Sequence, residues 1–398
     1  MMIIDAVRTA RGRGNDKSAL KSLTTLELGQ QVFRAIEQRS ALDTEVVSEI
    51  AIGCATQHGE QGSGVARLLA LEAGWSPQAG AITVNRACAS GLAAVHLAAL
   101  QAQAIDGVAV GGGVEMMCRV PMGSDAGPLL TDRALQARLG LLPMGIAADA
   151  VASHHGFSRV QCDAYAAESQ ARAARAREQG LYASLIPVRD AQGDVVLAQD
   201  ETPRPGTTAQ SLAELAPAFA ALGAKGLDAL ACERLGLKAI EHVHHAGNSP
   251  AMADGASLVL LASENAAKRH GLKARARILG MADTSDSAVW GLTAGVKASR
   301  LALSRAGLTA DKVDLFEVNE AFAAVMLHYM QELGVPHEKL NVNGGAIALG
   351  HAMGSTGSAL LGTLLDELER RGLRYGLVAA AGAAGVASAA VIERIGAP

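Results

Sequence analysis

Short apolar runs alternate along this chain with longer stretches whose apolar residues recur every three to four positions. AITV (81–84) reads as a strand, passes into the polar turn NRACASG, and is followed at once by the helical stretch LAAVHLAALQAQ. DLFEV (314–318) and GLVAAAG (376–382) are further strand-like runs, the second lying just after the helical SALLGTLLDELERR. Strand and helix signals in alternation predict an α/β fold with mostly parallel sheets.

The pattern also repeats internally. SLTTLELGQQVFRAIEQRSALDTEVVSEIAIG, a helix and then a strand, is echoed by GLTAGVKASRLALSRAGLTADKVDLFEVNEAF from Gly291. CASGLAAVHLAALQAQAIDGVAVGGG is paralleled by GSTGSALLGTLLDELERRGLRYGLVAAAG at about the same offset. A constant offset is what an ancient duplication leaves, so two similar halves packed together are expected. Between them, from about 120 to 245, lies a different kind of sequence. It holds PMGSDAGP, a charged helix (RVQCDAYAAESQARAARAREQG) and the polar, proline-containing DETPRPGTTAQ. This region is read as a long excursion over one face, with Arg172 to Arg177 on a solvated helix face.

Composition narrows the function classes. In 398 residues hydrophobic types make up 49% and aromatics only 3%, with 44 glycines, so the core is built from Ala, Val, Leu and Gly. A net charge of −4 gives no electrostatic case for nucleic acid or an anionic membrane. Five cysteines (54, 88, 118, 162, 232) are scattered, without a C-x-x-C pair. That excludes a disulfide framework or zinc knuckle and fits a reducing compartment. No signal region or membrane-length apolar run is evident, and the expectation is a cytoplasmic protein. His154, His155, His242, His244 and His245 have no carboxylate or cysteine at ligand spacing, so no metal is expected. Gly111-Gly112-Gly113 lacks the G-x-G-x-x-G order of a dinucleotide site.

Three places carry chemistry. Cys88 falls at the strand-to-helix junction, where free N–H groups and the helix dipole are expected to lower a thiol's pKa and aim a thiolate at a carbonyl. A free cysteine is also commonly just a small buried apolar residue. His351 sits between glycine-rich turns in NVNGGAIALGHAMGSTG, ahead of a helix. That setting suits a base that approaches a ligand closely. Asn319 follows the DLFEV strand, where an amide can donate to a carbonyl oxygen or simply cap a helix.

VNRACASG, NEAFA and NVNGGAIALGHAMGSTG, in this order and at these separations, resemble the thiolases, and VEMMCRVPMGSD, MGIAADAVA and HAGNSPAMADGA resemble the same family. The likeness runs from DAVRTARGRG to AAVIERI. It implies a five-layered α-β-α-β-α fold from two βαβαβαββ halves with a loop domain between them. The boundaries implied are 1–119 for the first half, completed by about 241–268, then 120–240 for the loop domain and 269–398 for the second half. The implied activity is acyl exchange between coenzyme A and an acyl-CoA: thiolysis of 3-ketoacyl-CoA in fatty-acid β-oxidation, or the reverse Claisen condensation. Coenzyme A is then a substrate and no cofactor is required. Homodimers or homotetramers are implied, with room for a hydratase/dehydrogenase partner subunit.

The resemblance makes Cys88 the nucleophile that carries the acyl group and His351 the base for Cys88 and for the incoming thiol. Asn319 orients a water that, with His351, forms an oxyanion hole. Met144, Ala246, Ala321 and Phe322 match positions lining the pantetheine channel, beside Ser249. Ala381 and Ala383 stand in the oxyanion loop, and Ala381 occupies the place of the family's second catalytic cysteine. No cysteine follows Cys232. Pro250 replaces a serine that usually bonds the pantetheine arm, and Ala352 a proline after the histidine. Three readings follow. They are an active thiolase, an impaired homologue kept as a non-catalytic or assembly subunit, and a Cys88-dependent acyl-CoA hydrolase or acyltransferase without carbanion chemistry.

Overall fold

The computed structural model describes residues 1–396. Nine strands form the frame: β1 (Met2–Thr9), β2 (Val47–Gly53), β3 (Gly80–Val84), β4 (Val108–Met116), β5 (Ala253–Ala262), β6 (Ala276–Ser285), β7 (Leu315–Val318), β8 (Tyr375–Gly382) and β9 (Val386–Arg394). Their order is β7-β8-β9-β6-β1-β5-β4-β2-β3. The first half supplies β3-β2-β4-β5-β1 and the second β7-β8-β9-β6 in the mirrored order, which is the duplication made visible. The counterpart of β3 shrinks to one bridge between Phe316 and Leu340. The halves join where Met2 pairs with Arg277 and Ile3 with Ala276.

The sheet is mixed rather than mostly parallel. β2 runs parallel to β3 and β4, and β7 to β8, but β5 is antiparallel to both β1 and β4, and β9 to both β6 and β8. Only three residues separate β8 from β9, too few for a parallel crossover.

Seven helices matter here: α1 (Thr25–Ser40), α2 (Ser90–Ala104), α3 (Met144–His155), α4 (Arg159–Glu178), α5 (Ala294–Ala306), α6 (Ala323–Leu333) and α7 (Met353–Arg371). α1 starts at Thr24, whose side chain accepts from the Glu27 N–H while Glu27 accepts from the Thr24 N–H at 2.7 Å. One stripe of α1 (Leu28, Val32, Phe33, Ile36) packs on the first half's strands. Each such side chain contributes roughly 1.5–3 kcal/mol by leaving water. α5 covers the second half in the same way. α2 and α7 lie between the strand layers, and every residue of α7 from Met353 to Leu368 is buried. The result is helix, sheet, helix, sheet, helix.

The central layer is tight because it is built on glycine. A methyl at Gly91 would lie 2.6 Å from the Gly354 carbonyl oxygen, and one at Gly113 would overlap the same carbonyl. Gly111 and Gly113 thus serve helix packing, and Gly112 the close approach of β5.

The region 120–240 adds α3, α4 and shorter pieces, and touches the large sheet through Leu185–Ile186 beside β1. Here one expectation fails. Arg172 is buried, and donates to the carbonyls of His337 and Leu340, while Arg175 donates to that of Val342. Arg172 clamps the second half's 337–342 loop instead of facing solvent, because that loop's carbonyls have no strand partner there, whereas Arg175 keeps the exposure expected of it. No helix among the described residues is long and apolar enough to cross a membrane.

Candidate active site

Cys88 and His351 each stand just ahead of a central helix, Cys88 before α2 and His351 before α7. The Cys88 turn is held by its own polar residues. Asn85 accepts from the Ala87 N–H at 2.9 Å, and Ser90 accepts from the Arg86 N–H at 2.8 Å while donating to the Ala87 carbonyl at 2.6 Å. These bonds hold Ala87 at φ 46°, a left-handed conformation that is uncommon for alanine and that sets the direction of the next side chain. Gly382 packs on this turn: a methyl there would lie 2.9 Å from the Cys88 nitrogen. The backbone N–H groups of Ala383 and of Cys88 itself point at Sγ.

Burial decides the protonation state. The thiol is pushed up to about 12 by loss of solvent and by the nearby Glu115, against the two N–H donors. The expectation of a lowered pKa at the helix terminus is thus overturned: with Cys88 only 4% exposed, desolvation outweighs the dipole. A thiol in this state needs a base.

His351 is built as one. Its Nδ1 lies 2.8 Å from Thr356 Oγ1, and that hydroxyl donates to the Ala352 carbonyl. Thr356 must then accept from Nδ1–H, which leaves Nε2 as the bare acceptor. Nε2 is buried and has no protein partner. Burial, with Arg11 nearby, lowers the imidazolium pKa to about 3, so the ring is neutral in ordinary conditions. Arg11 also donates to the Gly350 carbonyl at 2.9 Å and fixes the turn in front of the ring.

Asn319 follows β7, its N–H bonded to the Ala379 carbonyl of β8. It is 3% exposed, and neither side-chain atom has a protein partner. Its neighbour Glu320 takes Tyr165, Ser169, Asn341 and the Ile347 N–H, tying the Asn319 turn to the His351 loop.

A cavity of about 260 Å³ brings together Cys88, His351, Met144, Ser249, Ala321 and Phe322, with Pro250, Met122, Phe219, Leu292 and Met353 among its other walls. Asn319 and Ala381 line a second cavity of about 10 Å³, which shares Leu292 and Ala321 with the first. Ala246 is exposed and lines neither cavity. It sits in the His245–Asn248 turn, where the buried His245 and Asn248 side chains both bond Asp163.

Sequence reasoning did not single out Thr356, Arg11 or Glu115. Glu115, inside VEMMC, is buried and accepts from the N–H groups of Ala55, Thr56 and Gly354, so it joins the cysteine side to the histidine side. A lone carboxylate between apolar residues was the available signal. The histidines near 242 do have carboxylates, brought from afar: Asp149 serves His242 and His244, and Asp163 serves His245, each at 2.7 Å. Among the described residues no cluster fit to hold a metal ion is formed.

Residues 1–226 match the family model for the thiolase N-terminal domain, and residues 272–394 match that for the thiolase C-terminal domain. The chain belongs to the thiolase family. A 3-ketoacyl-CoA thiolase of Serratia proteamaculans is 40% identical over 407 aligned positions, covering 99% of each chain. Proteins of the same name from Escherichia fergusonii and Citrobacter koseri are 38% identical over equal coverage. The paired helix termini that present Cys88 and His351 are one element from each duplicated half.

Proposed function

We propose that this enzyme, an acyltransferase of the thiolase family, cleaves 3-ketoacyl-CoA with coenzyme A, and runs the reverse condensation, through an acyl thioester on Cys88. The observation that carries this reading is the apolar cavity holding a buried thiol and a neutral imidazole with its acceptor nitrogen bare. The Cys88 proton passes to His351 Nε2 as sulfur attacks the 3-keto carbon. The N–H groups of Ala383 and Cys88, already aimed at Sγ, take the alkoxide. The C2–C3 bond then breaks, the acyl group stays on sulfur, and the electron pair passes to the departing acetyl-CoA as its enolate. Asn319 and His351 hold that enolate oxygen, C2 takes a proton to complete the product, and His351 releases to solvent the proton it took from Cys88, so that its ring is neutral again. His351 next takes the proton of the incoming CoA thiol, which attacks the thioester and frees Cys88. Intact-mass detection of the acyl group on Cys88, beside a thiolysis assay, tests this sequence; an acyl mass on Cys54 or Cys118, or on no cysteine, refutes it.

Ala381 offers no proton to that enolate. Ala381→Cys is expected to raise thiolysis about tenfold or more, short of the roughly 10²–10⁴ that a well-placed acid gives. Acylation by a simple acyl-CoA, which forms no carbanion, should stay unchanged. An unaltered thiolysis rate would show that another group already supplies the proton.

A cytoplasmic homodimer, pairing again to a tetramer, fits the outer surface of the first half. β3 is an edge strand, Ile82 on it is 48% exposed, and Leu97, Leu100 and Ile105 of the neighbouring α2 region are exposed as well. An unpaired strand edge beside apolar side chains favours addition of a second copy. Sedimentation at micromolar concentration should give at least a dimer, and Ile82→Arg with Leu100→Glu should shift it toward monomer. A wild-type monomer would contradict this assembly.

A further inference from the structure

The small cavity that shares Leu292 and Ala321 with the catalytic one is lined by Asn319, Ala381 and His328 of α6. At about 10 Å³ it has the size of a single water. Two side chains around it are more than nine-tenths buried and lack protein partners: Asn319 at both polar atoms and His328 at Nδ1. Two unsatisfied polar groups on one water-sized hole mark a hydrated position, since leaving either group dry is costly.

His328 is also the inner end of a series of rings. Its centroid lies 4.6 Å from that of His155, and His155 lies 4.8 Å from the exposed His154. Trp290 and Phe157 flank the pair and hold the rings in place. Burial lowers both His155 and His328, the latter to about 4, so both are neutral imidazoles carrying one donor and one acceptor. A neutral ring with both functions can pass a proton without storing charge.

We propose that His328 and a water in this cavity form a proton path from solvent to the reacting carbon, in place of the missing thiol at Ala381. This rests on the thiolase reading above. In cleavage the water gives its proton to C2 of the acetyl-CoA enolate. His328 reprotonates the resulting hydroxide through one ring nitrogen and recovers a proton at the other from solvent. In condensation each transfer reverses, with no change in oxidation state. His328 acts through the water and is a positioning residue.

The test is exchange of the methyl hydrogens of acetyl-CoA with D2O, measured beside acylation of Cys88. Wild type should exchange. His328→Phe should slow exchange about tenfold or more while acylation stays within about twofold. In an Ala381→Cys background the same substitution should cost less than about twofold, because the thiol bypasses the path. Unchanged exchange in His328→Phe, or an equal loss in both backgrounds, overturns the proposal. If His328→Phe loses acylation too, His328→Gln decides: slowed exchange with intact acylation supports the path, and unchanged exchange overturns it. Wild type that acylates without exchanging refutes the path alone, whereas wild type that never acylates refutes the thiolase reading.

Discussion

Cys88→Ala should abolish acylation and lower thiolysis by at least about 10⁴-fold, since among the described residues no other thiol lines the cavity. Met122, Met144, Met353 and Phe322 around it carry no proton that a base could remove to make a nucleophile, and Ser249 lies in the wall without a base bonded to its hydroxyl. The loss should appear in both half-reactions equally. Cys88 fills little volume and its turn is held by Asn85 and Ser90, so the folded state should survive. Rapid mixing of enzyme with acyl-CoA, read by intact mass, checks the first half-reaction; residual acylation above that limit would place the nucleophile elsewhere.

The second large effect is expected at His351. His351→Gln should cost about 10²–10⁴ in acylation, toward the upper end because the thiol it serves is held up near 12. The pH dependence separates loss of a base from loss of fit. In wild type the imidazole is neutral above about 3, so acylation should be nearly flat from pH 6 to 9. In the variant only thiolate already present can react, and that fraction grows about tenfold per pH unit below the thiol's own pKa. A variant profile as flat as wild type would assign the base to another residue.

Most of the frame was legible in the chain. The helical spacing of Leu28, Val32, Phe33 and Ile36 and the apolar runs at 81–84 and 376–382 gave elements, and the matched offsets gave two halves. Cys88 and His351 were visible because nucleophile and base both need a turn ahead of a helix, and such turns are written locally in Gly, Ser and Asn. What stayed hidden depends on contacts distant in sequence. The raised thiol pKa comes from burial under a loop nearly 300 positions away. The buried state of Arg172 comes from carbonyls at 337 and 340, and the partners of the histidines at 242 to 245 are carboxylates from α3, α4 and Asp228.

Gly91 and Gly113 belong to one copy of the duplicated unit and Gly354 to the other, and all three meet at a single crossing. Nucleophile and base therefore come within reach only when the two copies are seated on one another. During refolding, either copy can regain its helices and strands without any catalytic power, and activity should return in the step that seats them. The same crossing ties the copies' histories together: a side chain gained at Gly113 needs an answering retreat at 354, so neither copy has been free to change there alone.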